Sequence, residues 1–158
     1  MIAVVKDLPL RVRRMRQSDV VAVAAIERKT YDFPWTQRIF RDCLLAGYAS
    51  VVLESAGKVV GYGIISVAAG EAHLLNICIE DNLRGQGVGR RLLDNLLVHA
   101  RSTGAERVFL EVRPSNHPAR SLYQAAGFNV IGVRKGYYRA RGGKEDAVVL
   151  LHRFTDLD

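Results

Sequence analysis

Arg84-Gly85-Gln86-Gly87-Val88-Gly89-Arg90 follows the apolar run Ile77-Cys78-Ile79 and opens a helical pattern of Val88, Leu92, Leu93, Leu96, Leu97 and Ala100. A strand, a glycine-rich bend and a helix start, in that order, make an anion seat. Side-chain-free residues at Gly85, Gly87 and Gly89 allow a tight turn and close approach, and the first N–H groups of the helix point outward at the positive end of its dipole. A pyrophosphate suits such a seat. A carboxylate, Glu111, stands near the end of the apolar run Val108-Phe109-Leu110-Glu111-Val112, where a charge needs a partner. Two readings stay open for it: an ion pair with Arg107 or Arg113, or a general base whose pKa is raised by partial burial. Tyr123, beside Leu122, Ala126 and Phe128, reads by itself as a core aromatic.

The spacing separates this loop from two common phosphate loops. A Walker loop ends in Gly-Lys-Ser/Thr, but Gly89 is followed by Arg90 and Arg91, so no hydroxyl is placed for magnesium. A dinucleotide fingerprint beginning at Gly85 and Gly87 requires glycine where Arg90 stands.

The elements that position these residues alternate along the chain without repeats or linkers. Leu10 to Met15 reads as a strand, and Ser18 as the N-cap of a helix ending near Thr30. After the loop Tyr31-Asp32-Phe33-Pro34-Trp35, Thr36 caps a second helix with Ile39, Phe40, Cys43 and Leu44 on its apolar face and Gly47 as its left-handed stop. Ala49 to Glu54, Val59 to Ala68 and Ala72 to Ile79 read as an antiparallel meander joined by Ser55-Ala56-Gly57-Lys58 and Ala69-Gly70-Glu71. The long helix beginning at Val88 ends before Gly104. Arg107 to Val112 is the next strand, Pro118 to Ala126 a short helix stopped by Gly127, and Phe128 to Arg134 and Asp146 to Phe154 the closing strands. The long helix makes the strands ending at Ile79 and beginning at Arg107 parallel neighbours through a right-handed crossover, with ligands at their carboxyl ends. The expected fold is α/β (α+β), with a mixed, mostly antiparallel sheet of about seven strands and about four helices.

With 158 residues, 49% hydrophobic and 25% charged, one globular domain over residues 1–158 is expected. No apolar run approaches the roughly 20 residues that span a bilayer, and Met1 to Asp7 lack the order of a secretory signal, so the expected location is cytoplasmic. Cys43 and Cys78 have no CxxC or metal-ligand spacing and read as buried small hydrophobes; no metal is expected. His73, His99, His117 and His152 build no metal site or triad by spacing and read as surface or scaffold residues. A net charge of +7, densest at Arg11, Arg13, Arg14 and Arg16, raises nucleic-acid binding as a reading. Those arginines flank a short strand without interleaved aromatics, so direct DNA binding is not expected; a basic surface also attracts a polyanionic cofactor.

The combination of Leu75-Asn76-Ile77, the Arg84 to Gly89 loop, Leu110-Glu111-Val112-Arg113, Asn116, Leu122-Tyr123 and Gly127-Phe128 resembles the GNAT superfamily of N-acetyltransferases. Within it the chain is most similar to the bacterial branch that acetylates the N-terminal alanine of ribosomal proteins. Tyr31 to Thr36 resembles that branch's acceptor-side loop. Arg134-Lys135-Gly136-Tyr137-Tyr138 with Lys144-Glu145-Asp146-Ala147 resembles its closing hairpin. The resemblance implies a single GNAT-like domain with acetyl-CoA as cosubstrate. It implies that Ile77, Cys78 and Ile79 offer backbone groups to the pantetheine amides, that Arg84, Gly85, Gln86, Gly87, Val88, Gly89 and Arg90 hold the pyrophosphate, and that Asn116 hydrogen-bonds the cofactor. Glu111 would be the base and Tyr123 the acid, with Trp35, Tyr137 and Tyr138 on the acceptor side. The acceptor implied is a protein N-terminal α-amine, an alanine of a small-subunit ribosomal protein, attacking directly in a ternary complex. Alternatives are lysine ε-amine acetylation and a non-catalytic acyl-CoA- or RNA-binding module. A free α-amine titrates near about 7.7 to 8.0, so roughly a tenth is neutral at pH 7 and a modest base suffices. Cys78 reads as packing rather than as a nucleophile.

Overall fold

The computed structural model describes residues 9–155, so the Met1 to Asp7 stretch lies outside the described residues. The element order is β1 (Leu10–Arg14), a 3₁₀ turn (Gln17–Asp19), α1 (Val20–Thr30), α2 (Gln37–Leu45), β2 (Ala49–Ser55), β3 (Lys58–Ala68), β4 (Glu71–Ile79), a 3₁₀ turn (Asp81–Leu83), α3 (Val88–Ser102), β5 (Arg107–Val112), α4 (His117–Ala125), β6 (Asn129–Ala140) and β7 (Gly143–Arg153). The strands form one sheet in the order β1-β2-β3-β4-β5-β7-β6. The expected mixed α/β architecture is present. Contacts group the residues into two compact units: up to Ile65 with Asn76–Leu96, and Ser66–Leu75 with Leu97 onward.

In the first unit, β1 pairs antiparallel with β2, and β2 with β3. Ala56 and Gly57 at the β2–β3 turn both have positive φ, the mirror-image turn whose twist suits a hairpin. The Arg-rich first strand acquires a structural role. Arg13 donates to both Asp19 carboxylate oxygens, at 2.8 and 2.9 Å, and to Glu54 at 2.8 Å. Asp19 also accepts the Arg16 N–H at 2.8 Å. Asp19, rather than Ser18, takes the N-cap position of α1, but its carboxylate makes no cap bond to that helix and instead closes the 3₁₀ turn that precedes it. Thr36 caps α2 as expected, its hydroxyl accepting from Ile39 N. Phe40 and Cys43 are buried on that helix, but Ile39 is 39% exposed and so lies off the buried stripe.

Helix α3 buries Val88, Leu92, Leu93, Leu96, Leu97 and Ala100, the six positions its period predicts. Full burial of each leucine is worth about 1.5–3 kcal/mol. Its close approach depends on Gly63 in β3, where an added Cβ would lie 2.6 Å from Leu96 Cδ1.

In the second unit β4 and β5 are parallel, with Glu71 opposite Arg107, Ala72 opposite Val108 and His73 opposite Phe109. Val108, Leu110 and Val112 are buried on one face of β5, which leaves Arg107, Phe109 and Glu111 on the other. Strand β5 pairs antiparallel with β7, from Arg107 and Arg153 to Val112 and Val148. The closing strands are longer than expected. Pairing resumes at Tyr138 with Glu145 and continues to Ala140 with Gly143, past an irregularity between Arg134 and Tyr138. Gly136 sits in that irregularity at φ 60° and donates its N–H to Asp146 at 2.8 Å, a bulge whose local sequence reads as loop. Helix α4 begins one residue earlier than expected, with Asn116 as its cap and Pro118 in its first turn.

Candidate active site

The glycine loop of the first unit is exposed from Arg84 to Gly87. Gly85 and Gly87 have φ of 76° and 78°, and a Cβ at either would meet nothing within 4 Å, so the demand for glycine is conformational rather than steric. Gly89, expected to help the bend, instead lies inside the first turn of α3, because the chain is already helical from Val88. Arg91 N–H donates to the Gly87 carbonyl at 3.1 Å, closing the opening turn of the helix, with the N–H groups of Val88 and Gly89 ahead of it. Arg84 is steered by the Ile79 carbonyl at 3.3 Å and Asp81 at 3.0 Å, and Arg90 pairs with Asp94 at 2.9 Å. Such exposed pairs are worth at most about 1 kcal/mol, so both guanidiniums exchange carboxylate for phosphate at little cost. Donors of this kind, backbone and guanidinium, fit a pyrophosphate.

Behind the loop, β4 carries Ile77, Cys78 and Ile79 at its carboxyl end. Cys78 is buried, with Sγ 3.5 Å from Thr30 Oγ1, and burial pushes its thiol pKa up, so it packs rather than attacks. Glu27, on α1, is a residue that sequence reasoning missed. It is 2% exposed and accepts hydrogen bonds from Trp35 N at 2.8 Å, Tyr62 OH at 2.5 Å and Asn76 Nδ2 at 2.9 Å. A signal existed: Glu27 falls seven residues after Val20 and four after Val23, on the buried stripe of its helix. Trp35, half-buried, packs on Phe40 at 5.4 Å.

Glu111 in the second unit has a side chain only 7% exposed. Neither expected ion pair forms: Arg107 binds Glu71 at 2.6 Å and Arg113 binds Glu145 at 3.2 Å. Its partners are His73, whose Nε2 lies 2.8 Å from Oε2, and Tyr137, whose hydroxyl donates to Oε1 at 3.3 Å. The expected rise in pKa is reversed. The His73 hydrogen bond, with its charge and that of Arg134, outweighs burial and holds the Glu111 carboxyl below the usual carboxylate range. Burial, and after it the adjoining Glu111 carboxylate, pushes the Tyr137 hydroxyl up, so it stays a donor. His73, read from spacing as scaffold, thus belongs to this cluster. It sits opposite Phe109 in the parallel ladder, and Glu111 is two residues farther along the same face of β5.

The other expected residues of this unit take supporting positions. Asn116 Oδ1 accepts from Ala119 N at 3.3 Å, capping α4. Tyr123 is 7% exposed, its ring 5.7 Å from Phe128. Tyr138 stacks edge-on against Tyr137 at 4.9 Å under the Arg113 guanidinium, 4.4 Å from its ring centre, and burial pushes its hydroxyl pKa up. The structure therefore joins Glu111 to Tyr137 in one cluster with Tyr138 beside it, while Trp35 belongs to the Glu27 network of the first unit.

A seven-stranded mixed sheet with a parallel β4–β5 pair, four helices among the described residues and a glycine-loop helix start define a mixed α/β domain with an anion-binding loop. A family profile described as the Acetyltransferase (GNAT) family matches residues 20–128, and the chain belongs to that family of acetyltransferases. Among its relatives, ribosomal protein bS18-alanine N-acetyltransferase of Escherichia coli strain K12 is 34% identical over 136 residues, covering 86% of this chain and 92% of its own length. The Haemophilus influenzae protein of the same description is 32% identical over 140 residues, 88% of this chain and 95% of its own. The crystal structure of ribosomal-protein-S18-alanine N-acetyltransferase from Escherichia coli superposes with a TM-score of 0.85 at 32% identity, covering 92% of this chain and 94% of that one. No helix among the described residues is long and apolar enough to cross a membrane.

Proposed function

We propose that this chain is a single cytoplasmic acetyltransferase domain that moves the acetyl group of acetyl-CoA to the N-terminal α-amine of a protein, the alanine of a small-subunit ribosomal protein. The observation that carries the reading is the Glu111–His73 pair at 2.8 Å, an ionised carboxylate bound to a half-exposed imidazole. The relatives described as bS18-alanine N-acetyltransferases support the acceptor.

Acetyl-CoA supplies a thioester whose acetyl carbon is open to attack. The N–H groups of Gly87 to Gly89 and the guanidiniums of Arg84 and Arg90 hold its pyrophosphate, backbone groups of Ile77 to Ile79 pair with its amides, and Asn116 adds a hydrogen bond. Glu111 with His73 takes the ammonium proton, so the amine arrives with its lone pair free. A weak base suffices, since roughly a tenth of α-amines are neutral at pH 7. The nitrogen bonds to the acetyl carbon, the carbon–sulfur bond breaks, and Tyr123 gives its hydroxyl proton to the departing sulfur; the second proton, lost from the new amide nitrogen to water, restores the Tyr123 hydroxyl. Acceptor contacts are assigned to Trp35 in the first unit and to Tyr137 and Tyr138 in the second.

Mass spectrometry of peptides incubated with acetyl-CoA tests this. Peptides with a free N-terminal alanine are expected to gain one acetyl group, and N-blocked peptides containing lysine none. Acetylation confined to the blocked set would overturn the proposed acceptor.

A further inference from the structure

Glu27 is a buried acid outside the chemistry described above. A carboxylate removed from water costs several kcal/mol unless its oxygens are well bonded, and an apolar residue of similar volume is often no worse for stability. Its three donors are neutral and come from three elements: the loop backbone at Trp35, the middle of β3 at Tyr62, and β4 at Asn76, directly before Ile77. The aromatic rings close a circuit through the same residues. Trp35 packs on Phe40 at 5.4 Å, Phe40 meets Tyr62 edge-on at 5.4 Å, and the Tyr62 hydroxyl returns to Glu27. One carboxylate thereby fixes the peptide at Trp35 against the strand that carries Ile77 to Ile79.

We infer that Glu27 is a positioning residue for acceptor recognition, setting the Trp35 loop against β4 so that the incoming N-terminus is held in register with the acetyl group. The inference rests on the acceptor reading proposed above. An acid serves here because it accepts from several donors at once. The amide of Glu27→Gln keeps size but turns an N–H₂ group toward donors, so at least one bond is lost. The expected damage falls on acceptor binding rather than on chemistry.

The test is steady-state kinetics of wild type, Glu27→Gln, Glu27→Asp and Tyr62→Phe with an N-terminal alanine peptide, alongside calorimetric titration with acetyl-CoA and thermal melting. Glu27→Gln is expected to raise the peptide KM about tenfold, one hydrogen bond's worth, with kcat and acetyl-CoA affinity within about threefold. Glu27→Asp, which keeps an acceptor-only group, should recover part of the loss. A folded Glu27→Gln enzyme with unchanged peptide KM would overturn the inference, as would a fall in kcat at constant KM. If Glu27→Gln does not fold, Tyr62→Phe decides: it keeps the ring packing and removes one donor, and an unchanged peptide KM there would equally overturn it. Wild-type enzyme that leaves every N-terminal peptide unmodified would overturn the acceptor reading together with this one, whereas an active wild type matched by its variants would sink the positioning role alone.

Discussion

Replacing His73 with Ala gives the sharpest test of how the Glu111 carboxylate is used. The imidazole lies 2.8 Å from Oε2, and its hydrogen bond is the largest cause of the lowered Glu111 pKa, ahead of the opposing effect of burial. A hydrogen bond to a charged group is worth about 1.5–3 kcal/mol, which at about 1.4 kcal/mol per tenfold corresponds to a loss of roughly 10- to 150-fold in kcat/KM. The pH profile carries the more specific signature. A depressed carboxyl keeps its basic form as pH falls, so the acid limb of wild-type kcat/KM should lie at low pH. Without His73, burial raises Glu111 while Arg134 and Tyr137 alone lower it, so the acid limb should move to higher pH. The assay is initial-rate acetylation of an N-terminal alanine peptide across the pH range over which the folded protein persists. Activity within about twofold of wild type with an unmoved acid limb would refute any functional coupling between His73 and Glu111.

Tyr123→Phe keeps the packing on Phe128 and removes the hydroxyl, so kcat should fall by about 10²-fold with acetyl-CoA affinity nearly unchanged, read by single-turnover kinetics and calorimetry. Gly87→Ala places a Cβ at φ 78° in open space; the strain of about 1–2 kcal/mol will either lower the melting temperature or be relieved by moving the loop N–H groups, weakening acetyl-CoA binding about five- to thirtyfold. Unaltered stability together with unaltered affinity would show that the left-handed conformation is dispensable. Arg13→Ala leaves two carboxylates without their guanidinium. In the native protein Arg13 lowers the Asp19 and Glu54 pKa values, so these groups stabilise the fold above their unfolded pKa values, and that stability is lost as pH falls through the folded ones. The variant should be less stable at neutral pH and show a flatter loss of stability on acidification, measured by urea denaturation from neutral pH into the acid range.

Charge is deployed in two ways in this chain. Arg13 is consumed internally by Asp19 and Glu54, whereas Arg84 and Arg90 sit on the exposed loop and first helical turn with weakly held carboxylates. The first arrangement orders the 3₁₀ turn that leads into α1. The second leaves cations beside the N-terminus of α3, where anions gain from both the guanidiniums and the helix dipole.

What the chain order alone determined was local. The left-handed bend at Gly85 and Gly87, the Thr36 cap, and the buried stripe of α3 depend on residues within a turn or two of each other, so composition and period suffice to read them. The parallel neighbours β4 and β5 followed from the helix between them. The partners of Glu111 did not. His73 reaches it only because Phe109 stands opposite His73 in the ladder, a register set across 38 residues of sequence. That contact reverses the direction of the Glu111 pKa shift, since a bound imidazole outweighs the burial that a carboxylate in an apolar run suggests. Glu27 shows the same division: its place on the buried face of α1 is periodic and local, but its task is defined by donors from Trp35, Tyr62 and Asn76, which only the packed tertiary structure brings to one carboxylate.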